Sequence, residues 1–300
     1  MTTRRQFLAA VPLLAATRVA AADPAGPGPA VDPAAAAELR VMTYNLRYAS
    51  EKGPDSWSER RPAMKALLER QVPDVFGTQE GVYSQLRDLG SDLPAYEWIG
   101  LGRDGGSRGE FMAVFYRRDR LEPLSYDHFW LSDTPDVMGS STWGNTNKRM
   151  LTSVHFRDRR TGRKFHFWNT HLDHQLQPAR EKASTLIQSR IARLPAADPL
   201  ILLGDFNAVA TRNRAYEILT RETGLTDSWH AAARRENEDL NSFNGFAQPV
   251  RKGERIDWIL FRGDAEIRST AVIDFAPGGR LPSDHFPIEA RMRWKSIGDS

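Results

Sequence analysis

Apolar runs that stop abruptly at polar strings constrain this chain more than any other feature. Leu200-Ile201-Leu202-Leu203 is apolar at every position and ends at Gly204-Asp205-Phe206-Asn207, while Phe286-Pro287-Ile288-Glu289-Ala290 starts directly after Ser283-Asp284-His285. Such a run, bounded by turn formers, reads as a strand buried on both faces. Its polar neighbours then sit at a strand end. Carboxylates, an amide and an imidazole at strand ends are the groups a metal-assisted hydrolase requires: ligands for a hard cation, a base for water and a positive partner for developing negative charge. The expected substrate is a phosphate ester.

The same pattern recurs along the chain. Leu39 to Asn45, Asp74 to Gly77, Phe111 to Tyr116, Arg149 to Phe156, Lys164 to Thr170, Arg255 to Phe261, Ile267 to Ile273 and Phe286 to Trp294 read as strands. Met64, Leu67 and Leu68 give Pro62 to Arg70 helical spacing; Leu186, Ile187, Ile191 and Leu194 place one apolar face on a helix from Pro178 to Leu194. Arg157 to Lys164 carries a Thr-Gly centre between two strand-like runs and reads as a solvated hairpin tip. Strands dominate and short turns often join them. Two sheets packed face to face with helices outside fit this order better than a parallel sheet with regular βαβ spacing. There is no internal repeat and no composition break after residue 40, so one catalytic domain is expected over residues 39–296.

The first residues belong to something else. Thr3-Arg4-Arg5-Gln6-Phe7-Leu8 leads into an alanine-rich apolar stretch, Ala9 to Ala16, with Ala20-Ala21-Ala22 as small residues for cleavage. This has the form of a twin-arginine export signal over residues 1–22, and the Pro, Ala and Gly rich segment 23–38 reads as a flexible tether. A periplasmic or secreted location follows as the expectation. The signal contains Arg4, Arg5 and Arg18 and no acid; without it the 41 Lys and Arg fall to 38, equal to the 38 Asp and Glu. A neutral mature chain lacks the electrostatic footprint of a nonspecific nucleic-acid binder. The chain has no cysteine, which excludes a thiol nucleophile, thiolate-bound zinc and disulfides.

Six polar strings stand at the predicted strand ends: Tyr44-Asn45, Gln79-Glu80, Asn169-Thr170-His171-Leu172-Asp173-His174, Gly204-Asp205-Phe206-Asn207, Arg255-Ile256-Asp257 and Ser283-Asp284-His285. In this order they resemble the endonuclease/exonuclease/phosphatase superfamily, the fold of deoxyribonuclease I, over about residues 39–294. The resemblance implies an α/β (α+β) four-layer sandwich of two packed mixed β-sheets flanked by helices. It implies Mg²⁺ or Mn²⁺ held by Glu80, with Asn45 supporting the same site by contact to metal or phosphate and Asp284 as a further metal or water ligand. Asp205 matches the residue that orients or deprotonates the attacking water, and Asn207 would hold that water or a phosphate oxygen. Asp257 would fix His285 as an imidazolium against the transferring phosphoryl group. His171 matches a histidine that contacts the scissile phosphate or helps the leaving group, with Asn169 bracing it; Arg149 matches a phosphate-holding arginine. Asp173 and His174 lengthen the usual string and are candidate substrate contacts or supports.

The fold does not fix the substrate. The Trp-Cys-Asp signature of inositol polyphosphate 5-phosphatases is absent; the corresponding stretch is Arg255-Ile256-Asp257-Trp258. Aromatic residues crowd the loops, among them Trp130, Trp143, Phe243 and Phe246, and of these Phe243 and Phe246 are candidates to stack on a sugar, a base or a lipid headgroup. The expectation is a phosphodiesterase acting by in-line water attack on a small sugar-containing or lipid-headgroup ester. A secreted nuclease and a non-catalytic binding module on the same fold are the alternatives.

Overall fold

A computed structural model describes residues 37–247 and 249–295, so the expected signal and nearly all of the tether lie outside the described residues. The strands, in chain order, are β1 (Leu39–Asn45), β2 (Val75–Gln79), β3 (Gly81–Val82), β4 (Tyr96–Ile99), β5 (Glu110–Phe111), β6 (Val114–Arg117), β7 (Leu121–Trp130) and β8 (Met150–Asp158). Then come β9 (Lys164–His171), β10 (Leu200–Asp205), β11 (Thr226–Asp227), β12 (Arg234–Glu236), β13 (Asp257–Arg262), β14 (Ala265–Val272) and β15 (Ile288–Trp294). Three helices of ten or more residues accompany them: α1 (Trp57–Gln71), α2 (Tyr83–Asp92) and α3 (Gln177–Ile191).

One sheet of seven strands has the order β12-β14-β15-β1-β2-β6-β4, and a second of six strands has the order β11-β13-β10-β9-β8-β7. Both are mixed. β1 runs parallel to β2 and antiparallel to β15, while β10 runs parallel to β9 and antiparallel to β13. The inner faces share one core, with Val41, Val75 and Ile288 of the first sheet against Phe167, Leu203 and Ile259 of the second. The outer face of the first sheet packs Met42, Tyr44 and Phe76 against Met64, Leu67 and Leu68 of α1 and Leu86 and Leu89 of α2. Leu200, Leu202 and Trp258 on the outer face of the second sheet meet Ala183, Ile187 and Ile191 of α3. This is the expected four-layer sandwich. It explains why β10 is apolar at each position from Leu200 to Leu203 rather than alternately.

The topology gathers the polar strings. Parallel pairing puts Asn45 beside Gln79 and His171 beside Asp205. Antiparallel pairing puts Asp257, the first residue of β13, opposite Asp205. β15 begins at Ile288 opposite Thr43, so Asp284 and His285 arrive at the same end. Six strings scattered over the sequence therefore share one edge of the sandwich.

Several boundaries differ from expectation. α1 starts at Trp57 rather than near Pro62, because Trp57 and Arg60 extend the buried stripe back from Met64, Leu67 and Leu68. β4, β7 and α2 were not anticipated. Among the described residues no helix is long and apolar enough to cross a membrane.

Candidate active site

Asp205 is the point where the two sheets meet. It ends β10, is 1% exposed, and its Oδ2 accepts a hydrogen bond of 2.9 Å from Asn45 Nδ2, which ends β1 in the other sheet. Its backbone reaches that place through Gly204, whose φ is 152° and where a Cβ would lie 1.9 Å from the Thr170 carbonyl oxygen. No side chain fits there. The Asp205 Oδ1 accepts from the Asn207 amide at 2.9 Å, which closes a tight turn with Asn207 at φ 48°. Asn207 joins Glu80 (φ 62°) and Arg47 (φ 54°) in the left-handed region. Backbone strain concentrated at one edge is typical of sites where position outweighs stability.

Two histidines flank Asp205. His171 Nε2 lies 3.5 Å and His285 Nε2 3.7 Å from its Oδ2. They carry opposite charge states. Burial, with the cations Arg149 and Arg103 behind it, holds His171 well below the usual histidine range, so its ring is neutral. Asn207 Nδ2 donates to His171 Nε2 at 2.9 Å and to the Leu172 carbonyl at 3.1 Å, which leaves the ring proton on Nδ1. For His285 burial pulls downward, but the Asp257 and Asp205 carboxylates outweigh it and raise the imidazole to about 10. Its Nδ1 lies 3.0 Å from Asp257 Oδ2, so the second nitrogen of an imidazolium faces Asp205. Burial and then the nearby Asp257 carboxylate push Asp205 itself up to about 7.

Glu80 follows β2. Its Oε1 accepts from Asn45 Nδ2 at 3.0 Å and its Oε2 from the Tyr48 amide at 3.2 Å. Arg47 lies 3.6 Å from both Glu80 and Asp284 and so stands between them. Asp284 is buried, and burial raises it above the usual carboxylate range, with Glu80 adding to the shift. Oxygen and nitrogen donors of Glu80, His171 and Asp205 lie within 4.8 Å of one another, as do those of Asp205, Asp257 and His285.

These groups line a cavity of about 580 Å³ that also takes in Arg149, His174, Phe243 and Phe246. Phe243 is 47% exposed at the rim and its ring meets His285 edge-on at 5.1 Å. Arg149 is buried, donates from Nη2 to His174 Nδ1 at 3.0 Å, and among the described residues has no hydrogen-bond partner on Nε or Nη1.

Two expected substrate contacts lie elsewhere. Asn169 is enclosed between the sheets, donating to the Thr78 and Ala113 carbonyls at 2.8 Å and accepting from Gln79 Nε2 at 2.7 Å. It ties the sheets together because it sits two residues deeper on β9 than His171. Asp173 turns back to accept from the Gln175 and Leu176 amides, fixing the turn into α3, with its other oxygen 3.7 Å from Arg149. Trp130 is buried beside Met112 and Met150.

Other site residues escaped the sequence reading. Arg47 and Tyr48 continue the Asn45 string, and their adjacency was the available signal. Arg103, Glu110 and Asn147 also line the cavity. Arg60 is fully buried, has no carboxylate partner among the described residues, and donates to the carbonyls of Leu46, Arg47, Tyr48, Asp55 and Pro282. It thereby clamps the loop carrying Arg47 to the segment leading into Asp284.

The sequence model of the Endonuclease/Exonuclease/phosphatase family matches residues 42–285. An uncharacterized protein of Acanthamoeba polyphaga mimivirus is 31% identical over 186 residues, 57% of this chain and 69% of that protein. A solved endonuclease/exonuclease/phosphatase family protein from Bacteroides thetaiotaomicron is 33% identical, covering 86% of this chain and 95% of its own, with a TM-score of 0.79. A mannosyl-6-phosphatase from the same organism is 34% identical, covering 85% of this chain and 100% of its own, with a TM-score of 0.79.

Proposed function

The chain belongs to the endonuclease/exonuclease/phosphatase family, and on that premise we propose that it is a divalent-cation-dependent hydrolase of phosphate esters of small polar alcohols, sugar phosphates foremost. The observation that carries this reading is Asp205 Oδ2, held by Asn45 between a neutral His171 and a charged His285 in the wall of a half-open cavity. Asp205 takes a proton from the attacking water, since it is the carboxylate whose affinity for a proton is raised toward neutrality. Asn207 can orient the water through its Oδ1, its Nδ2 being committed to His171 and the Leu172 carbonyl. The His285 imidazolium stabilises the charge that develops on the phosphoryl oxygens, and Asp257 keeps it protonated. Arg149, in the cavity wall, adds a fixed positive charge toward the phosphoryl oxygens.

The donor set fits a hard cation. Glu80, Glu110, Asp205 and Asp284 line the cavity and Asp257 stands behind it, against Arg47, Arg103, Arg149 and the His285 imidazolium. The lining charges balance, four carboxylates against four cations, so an anionic substrate gains no net attraction unless a cation is added. Glu80, with Asn45 and Asp284, would hold Mg²⁺ or Mn²⁺, which prefer oxygen ligands and would supply charge against the phosphate.

A monoester is favoured over the diester expected from sequence. A terminal phosphoryl group has three oxygens for Arg149, His285 and a cation, and the mannosyl-6-phosphatase supports the same choice. A cavity of about 580 Å³ also suits one small ligand. The diester remains the second reading, because Phe243 at the rim offers a face to a second substituent. Hydrolysis of p-nitrophenyl phosphate and bis(p-nitrophenyl) phosphate with Mg²⁺, Mn²⁺ or chelator tests both. Turnover in chelator equal to that with metal would sink the cation-dependent reading; turnover of the diester alone would reverse the preference.

Export is proposed from Arg4-Arg5 and the apolar stretch after them. Replacing both arginines by lysine should retain the chain in the cytoplasm on fractionation; unchanged export would remove the twin-arginine route.

A further inference from the structure

One wall of the cavity has no part in the chemistry above. It is built by a glycine-rich hairpin over residues 102–111, whose strands pair through the Gly102–Phe111 bridge and the Arg103 amide to the Glu110 carbonyl at 2.9 Å. The hairpin admits little variation: a Cβ on Gly102 would lie 2.1 Å from the Arg108 carbonyl oxygen, and Gly109 has φ 78°. Its two ends present a paired guanidinium and carboxylate. Arg103 Nη1 donates to Glu110 Oε2 at 2.7 Å and Nη2 to Oε1 at 2.8 Å, and Nη2 also reaches Asn147 Oδ1 at 3.3 Å.

The pair is placed by the fold rather than by chance. Val82 pairs with Glu110 through β3 and β5, two residues beyond Glu80. Trp130 Nε1 donates to the Arg103 carbonyl at 2.7 Å, and Asn147 lies two residues before Arg149. The wall thus spans from the Glu80 side of the cavity to the Arg149 side. Arg103 and Glu110 side chains are 12% and 17% exposed and both line the cavity, so a ligand in it meets a largely desolvated pair.

A neutral pair of this kind adds nothing to the attraction for phosphate, yet it costs desolvation. Its remaining capacity is what distinguishes it. The three contacts use three of the five N–H groups of Arg103, and each Glu110 oxygen retains a lone pair. Donors and acceptors held side by side in one plane match neighbouring hydroxyl groups, each of which donates one hydrogen bond and accepts another. Resting on the phosphoesterase reading, we propose that Arg103 and Glu110, with Asn147, form the leaving-group subsite and recognise adjacent hydroxyls of a polyhydroxylated alcohol such as a hexose ring.

The test compares hexose 6-phosphates, their monodeoxy analogues and p-nitrophenyl phosphate as substrates for the native protein, Glu110→Gln and Arg103→Lys. The native protein should favour at least one hexose 6-phosphate over a deoxy analogue by tenfold or more in kcat/KM. Glu110→Gln should raise KM for that hexose phosphate at least tenfold, with kcat changed less, and should reduce the hexose-to-aryl preference by the same factor. Arg103→Lys keeps the charge while losing the planar fork, and should show the same loss of preference. Equal treatment of all substrates by the native protein, or variants that change aryl and hexose phosphates in parallel, overturns the subsite. Failure of the underlying reading shows separately, as aryl phosphate turnover that survives Asp205→Asn.

Discussion

Asp205 places one oxygen among three groups of different character: a neutral amide, a neutral imidazole and an imidazolium. That setting makes its charge the quantity to vary. Asp205→Asn keeps the shape and removes the proton acceptor, so kcat should fall by about 10²–10⁴-fold with the Tm little changed. A fall of less than threefold removes Asp205 from the mechanism. The pH profile follows from the two shifted groups. Asp205 must be ionised to accept a proton and His285 must be protonated, so kcat/KM should rise as pH passes about 7 and decline as pH passes about 10. A cation beside Asp205 favours its ionised form, so saturating Mg²⁺ should move the rising limb to lower pH. His285→Ala should lose the falling limb and about 10²–10³-fold in kcat; a falling limb that survives assigns it to another group. The residues that touch Asp205 were legible in the sequence because each stands at or just beyond a strand end. Arg103 and Glu110 were not, since charges in a glycine-rich stretch read as a solvated turn until β3 and β5 bring them against the cavity.

At the scale of elements, the close approach of β10 to β9 fixes the height of Asp205 beside His171. Gly204→Ala would drive a methyl group into the Thr170 backbone, where no rotamer can relieve it. Overpacking and an unfavourable φ together should cost about 3 kcal/mol, a Tm lowered by about 10 °C. Gly90→Ala is the matched control: it lies within α2, and its nearest atom beyond the local chain is 3.5 Å away. There alanine should stabilise by about 0.5–1 kcal/mol. Equal effects at the two glycines would mean that β9 and β10 separate readily. The contrast shows where sequence reading succeeds. Leu200 to Asp205 is apolar to its last residue but one, so its burial on both faces was plain. β7 was missed because its middle, Ser125-Tyr126-Asp127, lies exposed at the edge of its sheet and breaks the apolar pattern. α2 was missed because Gly90 and Ser91 weaken its propensity, and its helix is sustained by Leu86 and Leu89 packing on the first sheet.

The whole molecule gathers carboxylates at one edge of a chain whose mature charge is expected to be neutral. The two sheets bring Glu80, Asp205, Asp257 and Asp284 to one edge, and the strain at Arg47, Glu80 and Asn207 is concentrated there too. An arrangement of this kind is costly without a ligand and gains stability when a cation binds only the folded state. At a cation concentration one hundred times Kd the gain is about 2.7 kcal/mol, which for a domain of this size raises Tm by about 5–10 °C. Mg²⁺ or Mn²⁺ should therefore raise the Tm of metal-free protein progressively with concentration, and chelator should reverse the rise. Glu80→Gln should abolish most of that rise together with activity, because it removes a carboxylate that would hold the cation. Arg60→Met provides the complementary test: the clamp on the Arg47 loop and the Asp284 segment would be lost, so the cation midpoint should rise even when the chelator-treated protein remains folded. A Tm that ignores divalent cations in the native protein would mean that the carboxylates balance against Arg47 and His285 alone, and the edge would then hold its anionic substrate without a metal.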